Sequence, residues 1–213
     1  MALYTATGVR IAPVSIEIKI SELRTELFRK AIHILIAAVP FLAAFNILVT
    51  LILLAAGTLF YTVAEYFRSR GHELFLISRI TILASRDREQ GRFVLGPITL
   101  GVGAMLALLL YPDPSATIAI FALAFGDSIS SLIGKFYGSR IIPHTGGKTY
   151  AGSTACFFVV LLIAYRVTGA LGFSVIIGVA ATVLEALPTR DLDNILIPVG
   201  TGFIASQLIH LAV

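Results

Sequence analysis

SATIAIFALAFGDSISSLIGKFYG, residues Ser115–Gly138, decides how this chain is read. From Ser115 to Gly134 it carries one charge, Asp127. A helix rising about 1.5 Å per residue needs about twenty mostly apolar residues to cross a bilayer. A carboxylate inside such a stretch is costly, which makes it a functional candidate. Two rows share a four-residue spacing. Gly126, Ser130, Gly134 and Gly138 form a face small enough for another helix or a ligand to approach closely. Asp127, Ser131 and Lys135 direct a carboxylate, a hydroxyl and an ammonium toward one region.

The rest of the chain agrees with a membrane reading. It is 57% hydrophobic and 13% charged, with a mean hydropathy of +0.93, whereas about a quarter of residues are charged in soluble chains. Seven segments approach the length of a span: Ala31–Phe45, Asn46–Tyr66, Phe93–Tyr111, Ser115–Gly134, Ser153–Val167, Leu171–Pro188 and Asn194–Val213. The expected fold is all-α, a polytopic bundle of about seven transmembrane helices. An N-terminal amphipathic segment (1–30) would precede an integral membrane catalytic domain (31–213). Ile16, Ile20, Leu23 and Leu27 fall at helical spacing, which predicts an interfacial helix. Its interleaved Glu, Lys and Arg do not suit a cleavable signal. The single cysteine, Cys156, allows no internal disulfide and reads as a buried thiol.

Threaded this way, fifteen of the sixteen Lys and Arg residues share one side, leaving only Arg166 on the other. The positive-inside bias then places the N-terminus in the cytoplasm and the C-terminus opposite. The six arginines of the Arg68–Arg92 loop, interleaved with apolar residues, suit anionic headgroups, either for orientation alone or as an interfacial helix. Membrane lipids, not nucleic acid, are the expected surroundings, and the sequence carries no signal for oligomeric state.

The costly polar groups, Arg29, Lys30, His33, Glu65, Asp127, Glu185, Asp193 and Asn194, all fall in the cytoplasmic halves of these spans. Scattered helix-end charges would populate both faces, whereas a site for a water-soluble anion gathers them on one. Between the fourth and fifth spans, His144–Ser153 (HTGGKTYAGS) runs from a Gly-rich loop into a helix. Gly147, Thr149, Gly152 and Ser153 can offer backbone N–H groups to a polyphosphate, and Lys148 adds charge. The glycine spacing is not that of a Walker A loop; a flexible connector capped by Thr149 or Ser153 is the plainer reading. Glu185–Pro188 and Asp191–Pro198 form a helix, turn, helix unit rich in oxygen ligands. Asp193 and Asn194 would suit Mg²⁺ there, or would cap the last helix.

Arg29-Lys30-x-x-His33, Gly126-Asp127 with Gly134 and Gly138, Lys148-Thr149-x-x-Gly152, Glu185 with Pro188, and Asp193-Asn194-x-x-x-Pro198 occur in one order from Arg29 to Pro198. That ordered set resembles the polyprenol kinase family, which includes dolichol and phytol kinases. The resemblance implies transfer of the γ-phosphate of CTP, with Mg²⁺, to the hydroxyl of an isoprenoid alcohol in the bilayer. Lys148 with the Thr149–Gly152 backbone would hold phosphates, lined also by Lys30, His33 and Lys135. Asp193, Asn194 and Glu185 would serve Mg²⁺ or its water shell, and Asp127 would be the base or a second metal ligand.

Two other classes stand beside it. Phosphatidate cytidylyltransferases share an Asp, Lys-Thr-x-x-Gly pattern, but their long C-terminal Lys-Arg and paired-Asp signature is missing. A small transporter would carry polar groups through the full membrane depth, yet the opposite halves of these spans are almost purely apolar.

Overall fold

The computed structural model describes residues 13–72, 81, 83 and 92–211. The described residues form helices and turns, with one isolated bridge between Ile141 and Thr149. In chain order the helices are α1 (Pro13–Leu35), α2 (Val39–Phe45), α3 (Ile47–Ser69), α4 (Gly96–Leu110), α5 (Ser115–Phe121), α6 (Ser128–Tyr137), α7 (Tyr150–Thr168), α8 (Leu171–Ala186) and α9 (Asp193–His210). A π-helical segment, Ala122–Asp127, joins α5 to α6, and 3₁₀ turns lie at Ile36–Ala38 and Arg190–Leu192.

Among the described residues, four stretches are long and apolar enough to cross a membrane: Leu23–Phe45, Ile47–Ser69, Ser115–Tyr137 and Tyr150–Thr168. The all-helical expectation holds, and the other three of the seven expected spans do not reach that length and hydropathy among the described residues. Helices α4 and α8 are apolar but have 15 and 16 residues, about 22–24 Å at 1.5 Å per residue, against about 30 Å of hydrocarbon. Helix α9 opens on Asp193 and Asn194 and ends on Gln207 and His210, and it is not among the four. The two spans expected to be short begin earlier than anticipated, at Leu23 and Tyr150. Helix α1 crosses residue 30 without a break. Most of the basic Arg68–Arg92 loop, and its expected interfacial helix, lies outside the described residues.

The outside is greasy and the inside holds the charges. Phe45 is 90% exposed, and Leu59 and Phe60 on α3 are each 65% exposed, as suits surfaces in contact with lipid. Buried among the helices are Glu26, Lys30, His33, Glu65, Asp127, Glu185 and Asn194. Two apolar clusters pack beside them, one around Ile118, Leu123, Val160, Ile177 and Ile197, the other around Val39, Ala107, Ala119 and Ile120. Cys156 is buried, as expected, and is a free thiol.

Close helix approach relies on small residues. A Cβ on Gly126 would lie 2.9 Å from a Val160 methyl, and one on Gly152 would lie 2.6 Å from the Ser130 carbonyl oxygen. The Gly126, Ser130, Gly134 and Gly138 row is therefore the seam between α6 and α7. A second seam joins α4 to α9. Pro198 has no N–H, so the Asn194 carbonyl lacks its intrahelical donor. That oxygen points at Gly103, where an added Cβ would sit only 2.0 Å from it.

Gly103→Ala should force α4 away from α9, costing about 1–3 kcal/mol by overpacking and lowering the thermal midpoint of detergent-solubilised protein. Gly57→Ala, with nothing within 4 Å of the added Cβ, should keep or raise it. Equal midpoints in the two variants would remove this account of the seam.

Candidate functional site

The site is built outward from Asp127, the last residue of the π-helical segment. A π turn closes i to i+5 and so rotates the following residues relative to an α-helix. Asp127 thereby meets α1, where Glu26, Arg29, Lys30 and His33 lie on one face at i, i+3, i+4 and i+7. Lys30 Nζ donates to Asp127 Oδ2, and His33 Nδ1 lies 3.2 Å from that same oxygen. One turn further along α6, Ser131 donates to Glu26 Oε1 at 2.8 Å; Lys135 Nζ sits 3.0 Å from Glu26 Oε2. The expected row of Asp127, Ser131 and Lys135 is thus one edge of a ladder, and α1 supplies its complement. All of Lys30, His33, Asp127 and Glu26 are buried.

The Gly-rich loop closes the opposite wall. His144, Gly146 and Gly147 take positive φ of 64°, 70° and 109°, the left-handed region that glycine adopts without a Cβ penalty. Ile142 N–H bonds to the Lys148 carbonyl at 2.8 Å, folding the loop on itself. Thr149 is the N-cap of α7: its hydroxyl accepts from the Gly152 N–H at 3.1 Å. The capping reading of Thr149 therefore holds, while the Ser153 hydroxyl is buried without a hydrogen-bond partner.

Lys148 Nζ leaves the loop to bond Glu185 Oε1, and Glu185 Oε2 has no hydrogen-bond partner. Burial opposes the charge on Lys148, but the carboxylates of Asp127, Glu185 and Asp193 outweigh it. They hold the ammonium above its ordinary pKa, so it stays protonated through neutral pH.

One cavity of about 590 Å³ joins these walls, within the usual range of about 300–1,000 Å³ for small-molecule sites. Lys30, Asp127, Lys135, Gly147, Lys148, Thr149 and Asp193 all line it, as does Arg29. Four cations therefore face two carboxylates, a balance suited to a polyphosphate. Five other expected site residues, His33, Glu185, Gly152, Ser153 and Asn194, do not line it; His33 lines a neighbouring cleft and Ser153 a groove between α7 and α8. Helix α9 begins without a side-chain cap, so Asp193 and Asn194 are not its capping residues. Asp193 Oδ1 is buried with no hydrogen-bond partner. Asn194 Nδ2 donates to the Gly96 carbonyl at 3.1 Å and the Thr99 hydroxyl at 2.9 Å, and its Oδ1 is left over.

Glu65 does not join the cavity. It takes two bonds from Arg68, at 2.7 and 2.6 Å, and one from Val94 N–H at 2.7 Å, pinning the returning chain to the end of α3. Glu26, by contrast, was not anticipated. Its signal was present in the sequence, since it shares a helical face with Lys30 and His33.

Removing one member of a buried ion pair leaves an uncompensated charge, at a cost of about 3–5 kcal/mol, whereas removing both can be nearly neutral. Lys30→Met and Asp127→Asn should each lower unfolding stability strongly. The double variant should recover most of the loss while staying inactive. A double variant no more stable than either single one would show that the pair is not coupled in this way.

No family model matches this chain, and no solved structure matches it. Curated relatives do. A protein of Triticum aestivum described as a probable chloroplastic phytol kinase is 25% identical over 142 residues, covering 58% of this chain and 47% of the relative. A probable chloroplastic phytol kinase of Zea mays is 23% identical over 156 residues, covering 65% and 52%. Phytol kinase 1 of Arabidopsis thaliana, also chloroplastic, is 26% identical over 135 residues, covering 55% and 44%. The chain spans about half the length of the curated relatives it matches. These relatives are described as phytol kinases or probable phytol kinases, and the ordered motifs from Arg29 to Pro198 resemble the polyprenol kinase family that includes them.

Proposed function

We propose that this chain transfers the terminal phosphoryl group of a nucleoside triphosphate, CTP by the family resemblance, to the hydroxyl of an isoprenoid alcohol such as phytol or another polyprenol. The observation that carries the reading is that Asp127, Lys148 and Asp193, drawn from three distant parts of the chain, line one cation-rich cavity. The phytol kinase relatives point to the same chemistry.

Phosphoryl transfer needs alignment, neutralised phosphate charge and somewhere for the hydroxyl proton to go. Arg29, Lys30, Lys135 and Lys148 supply positive charge around the cavity, and the exposed Gly146–Gly147 turn allows close backbone approach to phosphate. The alcohol oxygen bonds to the terminal phosphorus as the bridging P–O bond to the nucleoside diphosphate breaks. The hydroxyl proton passes to Asp127, whose contacts with Lys30 and His33 both fall on Oδ2. Glu185 positions Lys148 from below.

A divalent cation fits Asp193, whose buried Oδ1 lacks a hydrogen-bond partner, with the leftover Asn194 Oδ1 behind it. Among the described residues, no group of three or more His, Cys, Asp or Glu side chains could hold a metal. Mg²⁺ would therefore take most of its shell from phosphate oxygens and water, which is its usual habit. Its chemical contribution would be to neutralise phosphate charge. The cavity mouth belongs on the cytoplasmic face by the positive-inside bias, because a seven-span threading puts fifteen of the sixteen basic residues on its side.

Purified protein given Mg²⁺, a panel of polyprenols and CTP labelled at either the α or the γ phosphate tests the reading. γ-label in the lipid is expected; α-label would indicate a cytidylyltransferase, and neither label would end the kinase assignment. Lys148→Ala should cut turnover by about 10² to 10³, the usual cost of losing one charge-stabilising donor, and Asp127→Ala should nearly abolish it. Wild-type turnover in either variant would discard that role.

A further inference from the structure

A second, apolar cleft of about 40 Å³ lies against the polar cavity, and Arg29 lines both. Its walls include Ile32, Tyr61, Val94 and Leu100, and His33 lines it as well. Two observations make this cleft more than a packing defect. Arg29 Nη1 is buried and has no hydrogen-bond partner, although an unsatisfied buried donor is costly. His33 faces the cleft, while its Nδ1 lies 3.2 Å from Asp127 Oδ2. Asp127 in turn faces the polar cavity. One carboxylate thus stands between a polar, cation-rich chamber and an apolar one.

We propose that this cleft receives the head of the acceptor alcohol, with Arg29 and His33 holding its hydroxyl beside Asp127. This rests on the kinase reading and deepens it. The cleft is too small for an isoprenoid chain, so it takes the hydroxymethyl end and first carbons while the tail runs out into the bilayer. Phosphate donor and lipid acceptor then reach Asp127 from opposite sides and do not compete for the same space. Helices α7 and α8 frame a larger groove of about 250 Å³ lined by Tyr150, Phe157 and Val179, but it shares no lining residue with the polar cavity. A hydroxyl bound there would lack that link to Asp127.

The test uses the full-length protein in lipid vesicles and a short isoprenoid alcohol carrying a photoreactive diazirine beside its hydroxyl. Adducts are expected on Ile32, Tyr61 or Leu100, suppressed by unlabelled alcohol. Adducts confined to Tyr150, Phe157 or Val179, or labelling that excess alcohol does not suppress, as bulk lipid would give, overturn the proposal. In parallel, Ile32→Trp, which narrows the cleft, should raise the KM for the alcohol about tenfold or more and leave the KM for the nucleotide unchanged. Tyr61→Ala, which widens it, should favour bulkier alcohols. An unchanged alcohol KM in a folded Ile32→Trp protein would also overturn it. Competed labelling of the cleft without transfer to any alcohol would sink the kinase reading and spare the subsite. Transfer without such labelling would do the reverse.

Discussion

Everything in this structure hangs on satisfying one buried negative charge. Asp127 lies at the end of an apolar run, where an isolated carboxylate is among the most costly groups a fold can bury. Lys30, ninety-seven residues earlier in the chain, meets it. That pairing obliges α1 to dock against the π-helical segment and α6, bringing Glu26 to Ser131 and Lys135 as well. Such a pair gives little net stability, since both ions lose their water. What it does give is register: any other rotation of α1 would strand several charges in an apolar interior.

The same logic explains why the bundle looks inverted. Apolar side chains such as Phe45, Leu59 and Phe60 cover its outside, while Glu26, Lys30, Asp127 and Glu185 are enclosed. In lipid the hydrophobic effect does not hold helices together, so close packing and polar contacts take over. The Gly126 to Gly138 row provides the first, letting α6 and α7 touch nearly backbone to backbone. The Lys–carboxylate pairs provide the second. Three lysines at the cavity, Lys30, Lys135 and Lys148, each rest on a carboxylate. Such pairing keeps cations in place in the absence of a polyphosphate and leaves them ready to turn toward one.

Much of this could be read from the chain before any coordinates. All-helical character follows from the long apolar runs, and the site from the costly residues that interrupt them. Lys30, Asp127, Lys135, Lys148 and Asp193 were singled out on chemical grounds, and they line one cavity. Other positions were misjudged for identifiable reasons. Glu65 looked like a site residue because a charge at a helix end carries no label saying whether it binds a ligand or clamps a loop. Asn194 looked like a ligand or a cap because an amide next to an aspartate suits either; it does not cap α9, and its nitrogen bridges to Gly96 and Thr99 on α4 while its Oδ1 is left over. Hydropathy marks an apolar run without saying how many of its residues stay helical, and among the described residues four helices are long and apolar enough to span.

By itself, then, the sequence determined the solvent, the helices and the residue types of the site. Hydrophobic length and the cost of buried charge are local properties, written in consecutive residues. Only the tertiary structure decided which charges meet. Ion pairing between α1 and α6 depends on helix rotation and on the extra residue of a π turn, and neither leaves a periodic trace in the chain. For that reason the pairing of Glu26 with Ser131 and Lys135 emerged only from the fold, as did the apolar cleft beside Arg29: each is created by surfaces facing one another across the bundle.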